Sequence, residues 1–434
     1  MRLGSFAVRN YRSFAYRTDV ELRPLTLLFG YNSAGKSALL RWLPIVAGST
    51  EPGATSALAL DIEAARGASF EDLLSRHSGS DKLGLGLGWI DSAGRRLDVD
   101  MQLVSESRSL QQIVEQLTIG SRDGIASHEL QAVWTPDLEL PIERRRYVVS
   151  TDAQEPEEIE LPFEGLVPSE AAFDYDSVQR LLVSNLGQRM GALRLDTHWL
   201  TAVRAVPQRS KERGPRPRRL GSDGALAGDF LAHDRLDDGS IIATVSAWYE
   251  RATDHRLDVQ LHADSTTRER FVVVLEPRSA DRPIRIPLPD TGEGMAQVLP
   301  VLVLGALARH GRLGANPLLL IEHPELHLHP AAHADLASYF CELARDVEGS
   351  TCVLETHSEN LLLRVQLAIA RRELDPERVI VHWVRSLPEG SSVVEPITFD
   401  DLARPQGNWP PGVFSADVRQ ARELLRIRRE RGSA

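Results

Sequence analysis

Three short, mainly apolar runs stand out because each leads into polar residues with helical periodicity beyond: LTLLF at 25–29, LLLI at 318–321 and CVL at 352–354. Short runs with no polar face predict strands buried on both sides of a parallel sheet. Helical periodicity follows each run, over 38–47, 331–346 and 359–372, and another helix is predicted over 294–310. Elsewhere, LGLGLGWI (83–90) and RLDVDMQLV (96–104) alternate like strands with one exposed face, and LGSFAVRN, DVELRP, LDVQLHA, RFVVVLEP, RVIVHWVRS and SSVVEPITF also read as strands. Residues 105–265 are less regular. They hold the alternating stretches LQAVW and RRRYVVS, an acidic segment at 155–160 read as a loop, and helices near 175–190 and 240–252. No heptad runs through them, so no long coiled-coil arm is expected. No internal repeat is present.

The first apolar run ends in Gly30, and Gly35-Lys36-Ser37 follows directly before a predicted helix. G-x-x-x-x-G-K-[ST] between a strand and a helix is a phosphate cradle in its proper context. The glycines let successive backbone N–H groups turn inward as an anion nest, and the helix adds its positive end. Gly30, Asn32, Ser33, Ala34, Gly35, Lys36 and Ser37 are therefore the expected nucleotide-contacting residues. Lys36 supplies a point charge for the β- and γ-phosphates, and the Ser37 hydroxyl suits a magnesium ion. Expected cofactors are ATP and Mg2+.

The second run, LLLI, ends in Glu322, an acid at the carboxyl end of a strand, where ligands bind in open α/β sheets. Glu322 is the expected magnesium-side acid beside Ser37. Lys36 and Glu322 lie 286 positions apart (322 − 36), yet their strands belong in one sheet. This predicts one core split by a long insertion, with lobes at 1–104 and 266–434 and inserted residues 105–265.

Composition narrows the class. Hydrophobic residues make up 42% and charged residues 26% of 434 residues, as in ordinary globular proteins. No apolar run approaches the roughly 20 residues that span a membrane. The N-terminus lacks a signal-peptide core, and the two cysteines, Cys341 and Cys352, have no metal or redox spacing. A cytoplasmic location is expected. The net charge of −11 argues against a generic nucleic-acid binder.

Taken together, GYNSAGKS, IEHPELHLHP and ETHSENLL resemble the ABC-type ATPases of the SMC, RecF and overcoming-lysogenization-defect group. NYRSF (10–14) is similar to the element that precedes the phosphate loop there. The likeness is nearest to bacterial stand-alone AAA-labelled ATPases with an uncharacterised C-terminal domain. GEGMAQVLP (292–300) and WPPGVF (409–414) resemble two further elements of theirs. The implied fold is an α/β P-loop NTPase, an ABC-type head with a long mixed α/β insertion between its two halves. The resemblance also implies a homodimer that sandwiches nucleotide between head-to-tail cores. Gly292, Gly294 and Gln297 then belong to the signature that meets the partner's γ-phosphate, His357 is the switch histidine, and Arg12 flanks the nucleotide. Residues 325–327 match a loop that crosses the dimer interface.

This chain departs from the family pattern at one telling position. The usual strand end is Asp-Glu, and here it is Glu322-His323. A neutral imidazole can accept a proton, and Glu325 offers a carboxylate from the next loop. His323 or Glu325 is expected to position the attacking water, and hydrolysis is expected to be slow. Ala296 stands where the signature usually has Ser. The group often carries a Toprim nuclease with D-x-D, but the 77 residues after His357 (434 − 357) contain no D-x-D, so no intrinsic nuclease is expected.

Two features carry open readings. His327, His329 and Glu325 resemble a metal trio, although an interface loop is the favoured account of them, for want of a further ligand cluster. Residues 204–219 hold seven basic residues and one acid. They read as a mobile loop that tracks nucleic-acid phosphates or pairs with the protein's own acids. The Arg-rich helix expected at 417–431 suits its own dipole without a partner. The functional expectation is a slow ATP switch regulating a protein effector, in phage defence or DNA maintenance. The alternatives are a non-hydrolysing nucleotide scaffold and a RecF-like DNA-repair ATPase.

Overall fold

The computed structural model describes residues 1–106, 111–124, 126–136, 144–152, 154–263, 269–279 and 284–409. The expected helix at 417–431 and most of the WPPGVF element lie outside the described residues.

Two large sheets organise the molecule. The first is antiparallel, in the order β2-β1-β4-β5-β6-β7-β8-β9. It comprises β1 (Arg2–Arg9), β2 (Thr18–Glu21), β4 (Leu83–Ile90), β5 (Arg96–Ser105), β6 (Gln112–Arg122), β7 (Ser127–Thr135), β8 (Arg146–Thr151) and β9 (Gln154–Glu160). The second is the core sheet, in the order β12-β17-β18-β3-β19-β20-β21. Its parallel part holds β12 (Thr197–Leu200), β17 (Leu318–Glu322), β18 (Thr351–Glu355), β3 (Leu25–Gly30) and β19 (Val379–Ser386). β20 (Ser392–Phe399) and β21 (Pro405–Gln406) close one edge antiparallel. Two smaller units complete the strands: a hairpin of β10 (Phe163–Glu164) with β11 (Val167–Pro168), and β13 (Lys211–Glu212), β14 (His255–Ala263), β15 (Glu269–Pro277) and β16 (Ile286–Pro287).

The short apolar runs are explained by two cores. Leu25, Leu27, Phe29, Leu319, Ile321, Cys352 and Leu354 point into one core. Leu28, Leu318, Leu320 and Val353 point into the other. Period-two side-chain placement makes every residue of a central strand a core residue. The first core is covered by α4 (Ala227–Asp234), α5 (Ser240–Thr253), α6 (Glu293–Arg309), α7 (Pro330–Asp346) and α8 (Glu359–Ala370). The second lies under α1 (Lys36–Gly48), α3 (Val178–Asp196), the short α2 (Phe70–Leu73) and the antiparallel sheet.

Several expectations shift against this frame. The boundary at 104/105 falls within one antiparallel sheet, because β6 pairs with β5 from Gln112 to Arg122. The boundary at 265/266 falls between β14 and β15, which pair from His255 to Pro277. Residues 197–200, inside the expected insertion, return to the core sheet beside β17. The acidic segment 155–160 is strand β9, not a loop. It forms the sheet edge, where glutamates and Pro156 leave it poorly suited to further pairing. Among the described residues, no helix is long and apolar enough to cross a membrane.

Candidate functional site

The phosphate loop links β3 to α1. Tyr31, Asn32 and Ser33 are exposed, Ala34 is buried, and Ser33 and Gly35 have φ of 62° and 100°. Gly35 is needed for more than its dihedral. A Cβ there would lie 2.7 Å from Ser13 Oγ and 2.9 Å from the Phe14 ring. The NYRSF element thus folds against the loop. Its Tyr11 hydroxyl donates to the Ala38 carbonyl at 3.1 Å, and its ring packs on Trp42. Arg12 beside it lines a cleft of about 420 Å³ together with Ala38 and Arg41 of α1.

Lys36 is buried, and its ammonium donates to the carbonyls of Gly30 at 3.1 Å and Tyr31 at 2.7 Å. Burial lowers its pKa, and the Glu355 charge opposes that shift. Ser37 Oγ donates to Glu355 Oε1 at 2.6 Å. The expected partner of Ser37, Glu322, is engaged elsewhere. Its carboxylate accepts Nε and Nη2 of Arg41 as a two-pronged pair, the Nε contact at 2.6 Å, and the Trp199 indole N–H at 3.1 Å. Ser37 and Glu322 share no hydrogen bond in this arrangement.

Sheet order explains this arrangement. β18 lies between β17 and β3, and Glu322 and Glu355 are register partners at the strand ends. Adjacent strands sit about 4.8 Å apart, so Glu355 is one strand nearer the phosphate loop than Glu322. Burial raises the Glu355 pKa, while the Ser37 hydrogen bond works against the rise. His323, at φ 41°, places Nε2 at 3.7 Å from Glu355 Oε1 and stacks on His357 with ring centroids 5.2 Å apart. Partial burial, then the charges of Lys36 and His323, push the His357 pKa down to about 4, against a hydrogen bond with Gly30. His357 is therefore neutral at physiological pH.

Glu325 is buried and faces inward. Its Oε1 accepts from Thr356 Oγ1 at 2.7 Å and from the His357 backbone N–H at 3.1 Å, pinning the turn that carries His357. His329 caps α7 by accepting from the Ala331 N–H at 3.2 Å. Among the described residues, no group of three His, Cys, Asp or Glu is placed to hold a metal ion. His327, His329 and Glu325 are accordingly not brought together as a trio.

The signature segment begins at Gly292, the exposed N-cap of α6. Gly294 allows a close approach, since a Cβ there would run into the His327 carbonyl. Gln297 turns toward Arg204. It is buried, and its amide donates to the Arg204 carbonyl at 2.8 Å and accepts from the Arg204 N–H at 2.9 Å. Arg204 in turn donates to the carbonyls of Glu322 at 2.6 Å and His323 at 3.2 Å. Burial lowers its pKa to about 10. Sequence reasoning put Arg204 in a mobile basic loop, whereas the structure makes it a buried brace between the signature helix and the strand end.

Five more basic residues of that segment are tied down as well. Arg209 pairs with Asp290, Lys211 with Asp229, Arg213 with Glu269 and Arg216 with Asp237. Arg219 donates to the carbonyls of Arg194, Leu195 and Thr197. Of the two readings of residues 204–219, pairing with the protein's own acids is the one the geometry displays.

A family model described as an AAA domain, putative AbiEii toxin of a Type IV toxin–antitoxin system, matches residues 216–364. This stretch contains the signature helix and both acid-bearing strand ends. The head domain of an SMC protein, solved with the C-terminal winged-helix domain of ScpA, superposes with a TM-score of 0.50 at 10% identity. The match covers 92% of this chain and 98% of that one. This chain has the fold of an SMC-type P-loop ATPase head. Looser matches are the SMC head from Thermotoga maritima (TM-score 0.43, 9% identity, 91% of this chain and 98% of that one) and one from Pyrococcus furiosus, bound to the C-terminal domain of ScpA (0.42, 10%, 99% of each). No curated protein matches the chain in sequence.

Proposed function

We propose that this ATPase head is a slow, ATP-driven switch that dimerises through nucleotide and regulates a partner protein. The observation that carries the proposal is the cluster at the strand ends. Ser37 is 2.6 Å from Glu355, His323 is 3.7 Å from the same carboxylate, and His323 stacks on His357. One site thus gathers a phosphate-loop hydroxyl, a carboxylate and a stacked pair of histidines. The exposed N-cap of α6 supports the dimer reading, since helix-end N–H groups left free in one subunit can receive a γ-phosphate from another. Gly292 and Gly294 are the contacts proposed there, and Arg12 in its cleft flanks the nucleotide. Magnesium, when bound, would neutralise phosphate oxygens, held by Ser37 and a strand-end acid.

Slow turnover follows from the positions of the acids. In this reading His323 takes the water-positioning place where the family pattern has a carboxylate, and an uncharged imidazole would polarise the water less than a carboxylate does. Glu325, the other candidate, already has one oxygen bonded to Thr356 and His357. This favours His323 for the role. The matched family description, a putative toxin of a toxin–antitoxin system, is consistent with control of an effector in phage defence. The same engagement of Glu325 also favours a second reading, a nucleotide-binding scaffold without turnover.

Molecular mass and ATP turnover, measured together with and without ATP for wild type and His323→Glu, test both readings. The switch reading expects doubled mass with ATP, turnover well below one per second and faster turnover in the variant. Turnover of tens per second would refute the slow switch. Turnover abolished by Lys36→Ala would remove the scaffold reading.

A further inference from the structure

We propose that the cleft beside β12 is a second ligand site, for a small phosphorylated molecule of mononucleotide size. Its volume is about 680 Å³, within the range of small-molecule sites. It runs along Thr197–Leu200, the edge strand of the core sheet, and reaches Pro44, Ala47 and Gly48 at the far end of α1. The helix from Lys36 to Gly48 separates it from the phosphate loop by roughly 18 Å, at about 1.5 Å per residue. The cleft is therefore not the phosphate-loop site. Trp199 is a side chain common to both regions, since it lines the cleft and donates its indole N–H to Glu322.

The chemistry of the walls sets the ligand class. Arg194, Arg218, Arg219 and Arg312 line the cleft, and Glu51 is the acid among the lining residues. Four guanidiniums against one carboxylate favour an anion. Glu51 is itself drawn to Arg194 at 3.3 Å. Arg219 is held in place by donating to the carbonyls of Thr197, Arg194 and Leu195, which leaves part of its five-donor fork to offer. The side chains of Arg218 and Arg312 are exposed and make no hydrogen bond or ion pair, although the charges of Asp237 and Asp238 reach Arg312. Such forks match phosphate oxygens two at a time.

Two more nitrogens lie deeper in the same wall. His198 is 8% exposed, and its Nε2, like Nε of Arg194, is buried without a partner. Unpaired buried nitrogens are costly, and a ligand oxygen at the wall would relieve that cost. Between the charges the surface is apolar, with Leu195, Leu220, Leu304 and Leu313. An apolar wall inside a cationic rim suits a phosphate that carries a ring or another compact apolar body. The volume is that of one small molecule, not of a track for a polymer.

Titration calorimetry on the full chain carrying Lys36→Ala, which removes the phosphate-loop charge, tests the proposal with AMP, GMP, CMP and UMP as probes. We expect at least one of them to bind once per chain with Kd below about 1 mM. Its parent nucleoside should bind at least about tenfold more weakly. Arg218→Gln combined with Arg312→Gln should also weaken the binding at least about tenfold, since charge-assisted bonds carry it. Both side chains are exposed, so this variant should keep the fold. Arg218→Lys combined with Arg312→Lys should recover part of the affinity, because the charge returns without the fork. The proposal is overturned if no monophosphate binds, or if binding seen in wild type disappears with Lys36→Ala and so belongs to the phosphate loop. It is equally overturned if the glutamine variant binds as tightly as its parent. Pyrophosphate or a short oligothymidylate binding more tightly than every monophosphate would assign the cleft to bare phosphate or to nucleic acid instead.

Discussion

Removing Arg41 tests directly how firmly its pair with Glu322 ties α1 to β17. The Arg41 side chain is 11% exposed and that of Glu322 is 2% exposed, and the guanidinium makes both a bidentate pair and the main neutralising contact. In Arg41→Ala the carboxylate stays buried with only the Trp199 N–H at 3.1 Å. Breaking a buried pair by removing one partner costs about 3–5 kcal/mol, because the other charge is stranded. The surviving Trp199 bond places the expectation near the lower end, about 3 kcal/mol. An exposed pair would cost less than about 1 kcal/mol. Urea titrations of nucleotide-free protein, followed by circular dichroism with slopes compared, give the difference, provided two probes report one transition. Arg41→Leu combined with Glu322→Leu should recover most of the loss, since apolar replacement of a buried pair is often neutral. A single variant within about 1 kcal/mol of wild type, or a double variant no better than the single, would refute the reasoning.

Lys36→Ala should remove ATP binding and ATP-dependent dimerisation together, which calorimetry and light scattering can check. Burial, with Arg219 nearby, pushes the pKa of buried His198 down to about 4. Between that value and the unfolded value of about 6.5, the unfolded chain binds a proton the folded chain refuses, so stability falls as pH falls, by up to about 3 kcal/mol. Asp196, raised to about 6 by burial, acts in the opposite direction. The expected result is therefore a shallower acid slope in His198→Gln than in wild type, read from urea midpoints across pH 4–7. DNA binding through residues 204–219 would have to compete with four internal ion pairs. Replacing Arg209, Arg213 and Arg216 with Ala should change duplex affinity less than about twofold in fluorescence anisotropy, and a strong loss with a flatter salt slope would reverse that expectation.

The nucleotide site was legible in the sequence wherever chemistry is local in the chain. Gly30 to Ser37 announces strand, turn and helix in order, and the structure folds it so. The two-faced burial of β17 and β18 was equally visible, because an unbroken apolar run has no exposed face to hide. Arg204 and Gln297 were misplaced for a physical reason. An arginine among prolines and other cations reads as solvated, and only the tertiary fold shows that it braces a helix to a strand end. The acids expose the same limit more sharply. Both apolar runs end in glutamate, at 322 and at 355, and motif order favours the first. Proximity to the phosphate loop depends instead on which strand the sheet inserts next to β3, and a parallel sheet can place a later strand inside an earlier pair. The linear pattern identifies strand ends, but neighbours in a parallel sheet are joined through crossovers of arbitrary order. An acid's distance from Ser37 is therefore a property of topology, and the topology puts β18, with Glu355, between the expected partners.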